Sequence, residues 1–60
     1  MVEYIIEAIR NGETIDAEEA RGYGQASRAF EARCTQWAEL DSTVTVRWTN
    51  DHGRLIKSNK

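Results

Sequence analysis

The chain has a single cysteine, a single histidine and no long apolar run, and each scarcity excludes something. Cys34 has no second cysteine to bond, so no intrachain disulfide staples the fold. Cys34 and His52 together fall short of the four ligands of a structural zinc site, and no metal or other cofactor is expected. No stretch approaches the ~20 apolar residues of a membrane helix. Residues 2–9 carry Glu3 and Glu7, lack a basic leader and are too short for an export signal. With a lone cysteine, these features predict a cytoplasmic protein with no membrane partner.

Basic charge is also scarce. The net charge is −2, which argues against strong phosphate affinity over the whole surface. The distribution is uneven. Residues 1–31 carry seven acids against three arginines, and residues 32–60 carry three acids against five bases. Mixed charge of this kind reads first as ordinary solvated surface; the alternative is a dipolar molecule with a basic C-terminal hairpin.

Sixty residues make one domain at most. A chain of this size buries only about 60% of its unfolded surface. Without disulfide or metal, the remaining stabilisers are tight packing and self-association, so a homodimer is expected. Residues 1–57 are read as the domain and 58–60 as a frayed tail.

Two periodicities organise that domain. In residues 2–10, Val2, Tyr4, Ile6 and Ala8 share one parity, and Glu3, Ile5, Glu7 and Ile9 the other, which reads as a strand with one buried face. Asn11-Gly12 follows and suits a two-residue type I′ turn. That turn pairs Arg10 with Glu13, Ala8 with Ile15 and Ile6 with Ala17, making residues 13–18 a second strand. The same register opposes Glu7 to Asp16, two like charges. Asp16-Ala17-Glu18-Glu19 also reads as a helix start, so the alternative is β-α-β-β with one long broken helix over 16–40. Gly22 and Gly24 count against a continuous helix.

From Tyr23 to Leu40 the period becomes 3.6, with Tyr23, Ala26, Phe30, Cys34 and Trp37 on one stripe. Thr43-Val44-Thr45-Val46-Arg47-Trp48-Thr49 then alternates, with Val44, Val46 and Trp48 inward and the threonines and Arg47 outward. Asn50-Asp51-His52-Gly53 supplies a turn, and Arg54-Leu55-Ile56-Lys57 returns. A one-residue slip there exchanges Leu55 and Ile56 between core and surface.

The expected fold is α+β, a single β-β-α-β-β domain in which antiparallel hairpins form a sheet with one helix, about 23–40, on one face. The expected core is Tyr4, Ile6, Ala8, Ile15, Phe30, Cys34, Trp37, Val44, Val46 and Trp48.

An opening strand ending in Asn-Gly, a helix entered through Tyr23-Gly24-Gln25-Ala26-Ser27-Arg28 and a closing Thr-Val-Thr-Val hairpin with Gly53-Arg54 resemble small uncharacterised β-β-α-β-β proteins encoded by phages of actinobacteria. The resemblance implies a viral accessory protein, made in the host cytoplasm, that binds a host or phage protein. It supplies no functional motif to carry over.

Chemistry-bearing residues are few. His52 lies in an exposed turn with Asp51, and Cys34 on the buried stripe of the helix, so no nucleophile and base converge as a catalytic constellation needs. Asp16, Glu18 and Glu19 read as solvated charge. Gly22-Tyr23-Gly24 lacks the spacing and lysine of a phosphate loop. The chain is therefore expected not to be an enzyme. Ile5 and Ile9 fall on the solvent parity of the first strand, with Leu55 or Ile56 near them, and a grouped apolar face marks an interface. Ile5, Ile9 and Ile56 are taken as the candidate protein-binding residues, on the outer sheet face or an edge strand. The alternative is a small dimeric regulatory DNA-binding protein whose C-terminal hairpin contacts nucleic acid through Arg47, Arg54 and Lys57.

Overall fold

Alternation in the first strand becomes a two-sided sheet. The computed structural model describes residues 2–60. Strands β1 (Tyr4–Arg10) and β2 (Glu13–Ala20) precede helix α1 (Tyr23–Leu40), and β3 (Thr45–Asn50) and β4 (Leu55–Ser58) follow. The strands form one antiparallel sheet in the order β2-β1-β3-β4, and α1 covers one face. The fold is the expected β-β-α-β-β. Among the described residues no helix is long and apolar enough to cross a membrane.

Asn11 and Gly12 adopt φ of 55° and 77°, the double left-handed turn that Asn-Gly favours. Beyond it the expected register fails. Arg10 faces Glu13 and Ile9 faces Thr14, but a bulge then shifts the ladder by one residue. Ala8 stands opposite Asp16, and Ile6 opposite Glu18. The bulge removes the clash of like charges, because Glu7 now faces Ala17. It also takes Ile15 out of the expected core, leaving it only half-buried. Strand β2 runs on to Ala20 rather than stopping at residue 18, and Ala20 is buried. The long broken helix over 16–40 does not form, since residues 13–20 pair with β1.

Helix α1 has little help at its ends. Its N-cap Gly22 offers no side chain, its first turn holds no acid and its last no base. Its stability therefore comes from packing its apolar stripe. Ala26, Ala29 and Phe30 are buried there against Ile6, Ala20, Val46 and Trp48. The small alanines let the helix lie close to the sheet. Tyr4, Cys34 and Trp37 border this core half-buried. Tyr23, expected on the stripe, is 62% exposed. It lies over Trp48 with ring centres 4.8 Å apart, and Tyr4 meets Trp48 edge-on at 5.8 Å.

Val44, Val46 and Trp48 are buried as their parity requires. In the turn, the Asn50 side chain accepts from the amides of His52 and Arg54, and Gly53 takes φ 81°. A second bulge lies between Trp48 and Thr49, so Thr49 faces Leu55 and Trp48 faces Lys57. Neither Leu55 nor Ile56 enters the core; they are 48% and 38% exposed. Lys57 occupies the core-facing position instead, its ammonium 5.6 Å from the Phe30 ring centre. The segment 58–60, expected to fray, is tied down. Ser58 belongs to β4, Asn59 exchanges hydrogen bonds with the Val46 backbone through its amide and side chain, and the Lys60 ammonium donates to the Ser42 carbonyl.

Candidate functional site: the outer sheet face

The helix covers one side of the sheet, and no element of the described residues covers the other. Strand alternation and the two registers set the residues of that outer face in rows. The first reads Glu19, Ile5, Thr49, Leu55 across the four strands. The second reads Ala17, Glu7, Arg47, Ser58. The third reads Thr14, Ile9, Thr45. Ile5 and Ile9 are thus on the outer face, two residues apart along β1 with Glu7 between them.

Two details give the face its character. Thr49 is only 6% exposed although no layer lies above it. It stands between Ile5 and Leu55, and its hydroxyl leans toward the Ile5 carbonyl at 3.5 Å. Ile5 and Leu55 thus pack on either side of Thr49 in the first row, with the exposed Glu19 at its β2 end. In the second row Glu7 and Arg47 stand directly opposite on the two central strands. Thr14 donates its hydroxyl to Glu7 at 3.1 Å. Arg47 has no ion-pair partner among the described residues, whose arginine pairs join Arg10 to Asp41 and Arg33 to Asp16 and Glu18.

Of the three apolar candidates, the structure unites Ile5 and Ile9 on this face and leaves Ile56 at the β4 bulge. Leu55, opposite Thr49, completes the group in its place. The sequence signal for Thr49 and Arg47 was the outward parity of the Thr-x-Arg-x-Thr run; between Leu55 and Ile56, both open in the sequence, the bulge selects Leu55.

The three basic candidates do not share a surface. Arg47 is on the outer face, Lys57 is on the helix face over Phe30, and Arg54 sits in the turn. Both free edges are blunted in the manner of strands that resist pairing. The helix face of β2 carries Asp16 and Glu18, held by Arg33 at 3.3 and 3.2 Å. Strand β4 is four residues long, bulged, and points a lysine inward.

The remaining reactive groups are dispersed. His52 is exposed, with Asp51 at 3.7 Å. Cys34 is partly buried, and burial pushes its thiol pKa up despite the nearby Lys57. Among the described residues no cavity opens and no three potential metal ligands gather. Asp41, at the end of α1, accepts from the Thr43 hydroxyl at 2.6 Å, the Thr43 amide at 3.0 Å and Arg10 at 3.1 Å. Those bonds, the Thr43 hydroxyl foremost, hold its carboxyl below the usual range. No family model, curated protein or solved structure matches the chain.

Proposed function

We propose that this is a non-enzymatic interaction protein whose working surface is the outer sheet face. The observation that carries the reading is the packed group of Ile5, Thr49 and Leu55, continued by Ile9 and Thr45, on a sheet face that no element of the described residues covers. Grouped apolar residues around two opposite charges, Glu7 and Arg47, are the composition of a protein-binding patch, with anchors and orientation in one place. Of the two surfaces left open by the sequence, the face is better suited than an edge. The edges carry inward charges and bulges that disfavour strand addition.

A phage accessory role, with a host or phage protein as partner, agrees with the resemblance noted above and adds no residue to the argument. The DNA-binding reading is less well supported, because a basic ribbon needs Arg47, Arg54 and Lys57 on one side of the hairpin.

Site-directed photo-cross-linking tests the proposal. A benzophenone side chain at Thr45 is expected to capture protein, and the same group at Ala32, on the outward side of α1, is not. Capture from Ala32 alone, or duplex DNA binding that is lost in Arg47→Ala and steeply weakened by salt, overturns it.

A further inference from the structure

We infer that the outer sheet face packs against the same face of a second copy of this chain. The two-fold axis runs along the boundary between β1 and β3, so that Glu7 of each copy meets Arg47 of the other. This inference rests on the interaction reading above and names its occupant.

The charge layout is what selects a second copy. On the outer face the acids, Glu7 and Glu19, lie on the β1–β2 side, and the base, Arg47, lies on the β3 side. Such a face is its own complement under one rotation. A two-fold axis parallel to the strands exchanges β1 with β3 and keeps each row in register. Glu7 then sits over Arg47 twice, Ile5 over Thr49, and Ile9 over Thr45. A two-fold axis across the strands along the second row stacks Glu7 on Glu7 and Arg47 on Arg47, and like charges brought together disfavour that arrangement. Only the first arrangement gives Arg47, half-buried and without an ion pair in its own chain, a carboxylate.

Chemistry agrees with this occupant, and size makes the association weak. The Ile5–Thr49 and Ile9–Thr45 contacts join β-branched side chains, as in the inner faces of packed sheets, and Glu19 lies over Leu55 at the rim. Isologous contact of this kind is the commonest route to a closed dimer. Four short strands at ~4.8 Å spacing make a face of roughly 400 Å² in plan. That is smaller than the ~800 Å² per partner of a standard interface. The dimer is therefore concentration-dependent, and salt weakens it because two of its central contacts are ionic.

Charge exchange tests the arrangement. By sedimentation velocity from about 1 μM to about 1 mM, the wild type is expected to pass from monomer to dimer. Glu7→Arg alone and Arg47→Glu alone each raise the dissociation constant at least about tenfold, through two repulsive contacts per dimer. An equimolar mixture of these two variants restores association as a one-to-one heterodimer, and the double exchange in a single chain restores the homodimer. Thr45→Lys, which touches neither charge, also abolishes association; far-UV circular dichroism and thermal midpoint report whether each variant is folded.

A folded wild type that stays monomeric throughout overturns the second copy. If benzophenone at Thr45 still captures a different protein, the interaction reading stands and only its occupant changes. A dimer that survives every outer-face substitution overturns both. Folded charge variants that fail to form the heterodimer overturn the two-fold arrangement.

Discussion

Arg33 of α1 holds Asp16 of β2 at 3.3 Å across the two layers. Its second terminal nitrogen reaches Glu18 at 3.2 Å, while its Nε is buried without a partner. The inward acids of the edge strand therefore anchor the helix as well as guard the edge. Both carboxylates are well exposed, so solvent screens each pair and neither alone contributes more than ~1 kcal/mol. Arg33→Ala is expected to lower stability by about 1–2 kcal/mol, because it also strips the packed aliphatic stem. Asp16→Asn together with Glu18→Gln, which leaves the guanidinium unneutralised, is expected to cost more than either alone. Urea denaturation of the wild type, Arg33→Ala, the two single carboxylate variants and the double variant measures this. Equal stability of wild type and Arg33→Ala contradicts it.

The two sides of β1 predict unequal sensitivity. Ile6 has no exposed surface and belongs to the core, whereas Ile5 is half-buried on the uncovered face. Ile6→Ala is expected to lose roughly 2–4 kcal/mol through lost burial and a cavity. Ile5→Ala is expected to lose no more than ~1 kcal/mol when measured at concentrations where the chain is monomeric. Similar losses at the two positions contradict the assignment of faces.

Acid exposes the contribution of Asp41. Its folded-state pKa is lowered, so the contribution is complete above the ordinary aspartate pKa of about 3.9. It declines as pH falls from there through the folded-state pKa. Asp41→Asn is expected to reduce the acid dependence of stability in that window, and Thr43→Ala to reduce it in part. Thermal midpoints between about pH 2 and pH 6 read the effect. An unchanged acid dependence in both variants contradicts it.

Cys34 is expected to be a slow thiol. Burial raises its pKa, which keeps the thiolate scarce near neutrality. Labelling with a disulfide reagent is expected to be slower in the native chain than in urea at the same pH. Equal rates contradict the placement of Cys34 against the core.

The legible part of this fold was the part where alternation runs unbroken. The inward parity of Ile6, Ala8, Val44, Val46 and Trp48 and the helical stripe through Ala26 and Phe30 carried the architecture. Both ladders lost their register at a bulge, and a bulge leaves no mark in composition. At Ile15 the clash of Glu7 with Asp16 was the visible sign that the regular pairing was unfavourable. At Leu55 and Ile56 there was no such sign, because both residues suit either side. The docking of Asn59 on Val46 and the span from Arg33 to Asp16 are long-range contacts between polar groups, which no periodicity signals. On the candidate face, Ile5, Ile9 and Arg47 followed from parity alone. The grouping of Leu55 with them depended on the second bulge.

The central claim, that a second copy of this chain packs on the uncovered sheet face, is tested most directly by mapping backbone amide shifts of the isotopically labelled protein across a dilution series. The account predicts concentration-dependent shifts confined to Ile5, Glu7, Ile9, Thr45, Arg47, Thr49 and their neighbours, with α1 unchanged. Shifts centred on Arg28, Ala32 and Gln36, or a spectrum independent of concentration up to about 1 mM, would contradict it.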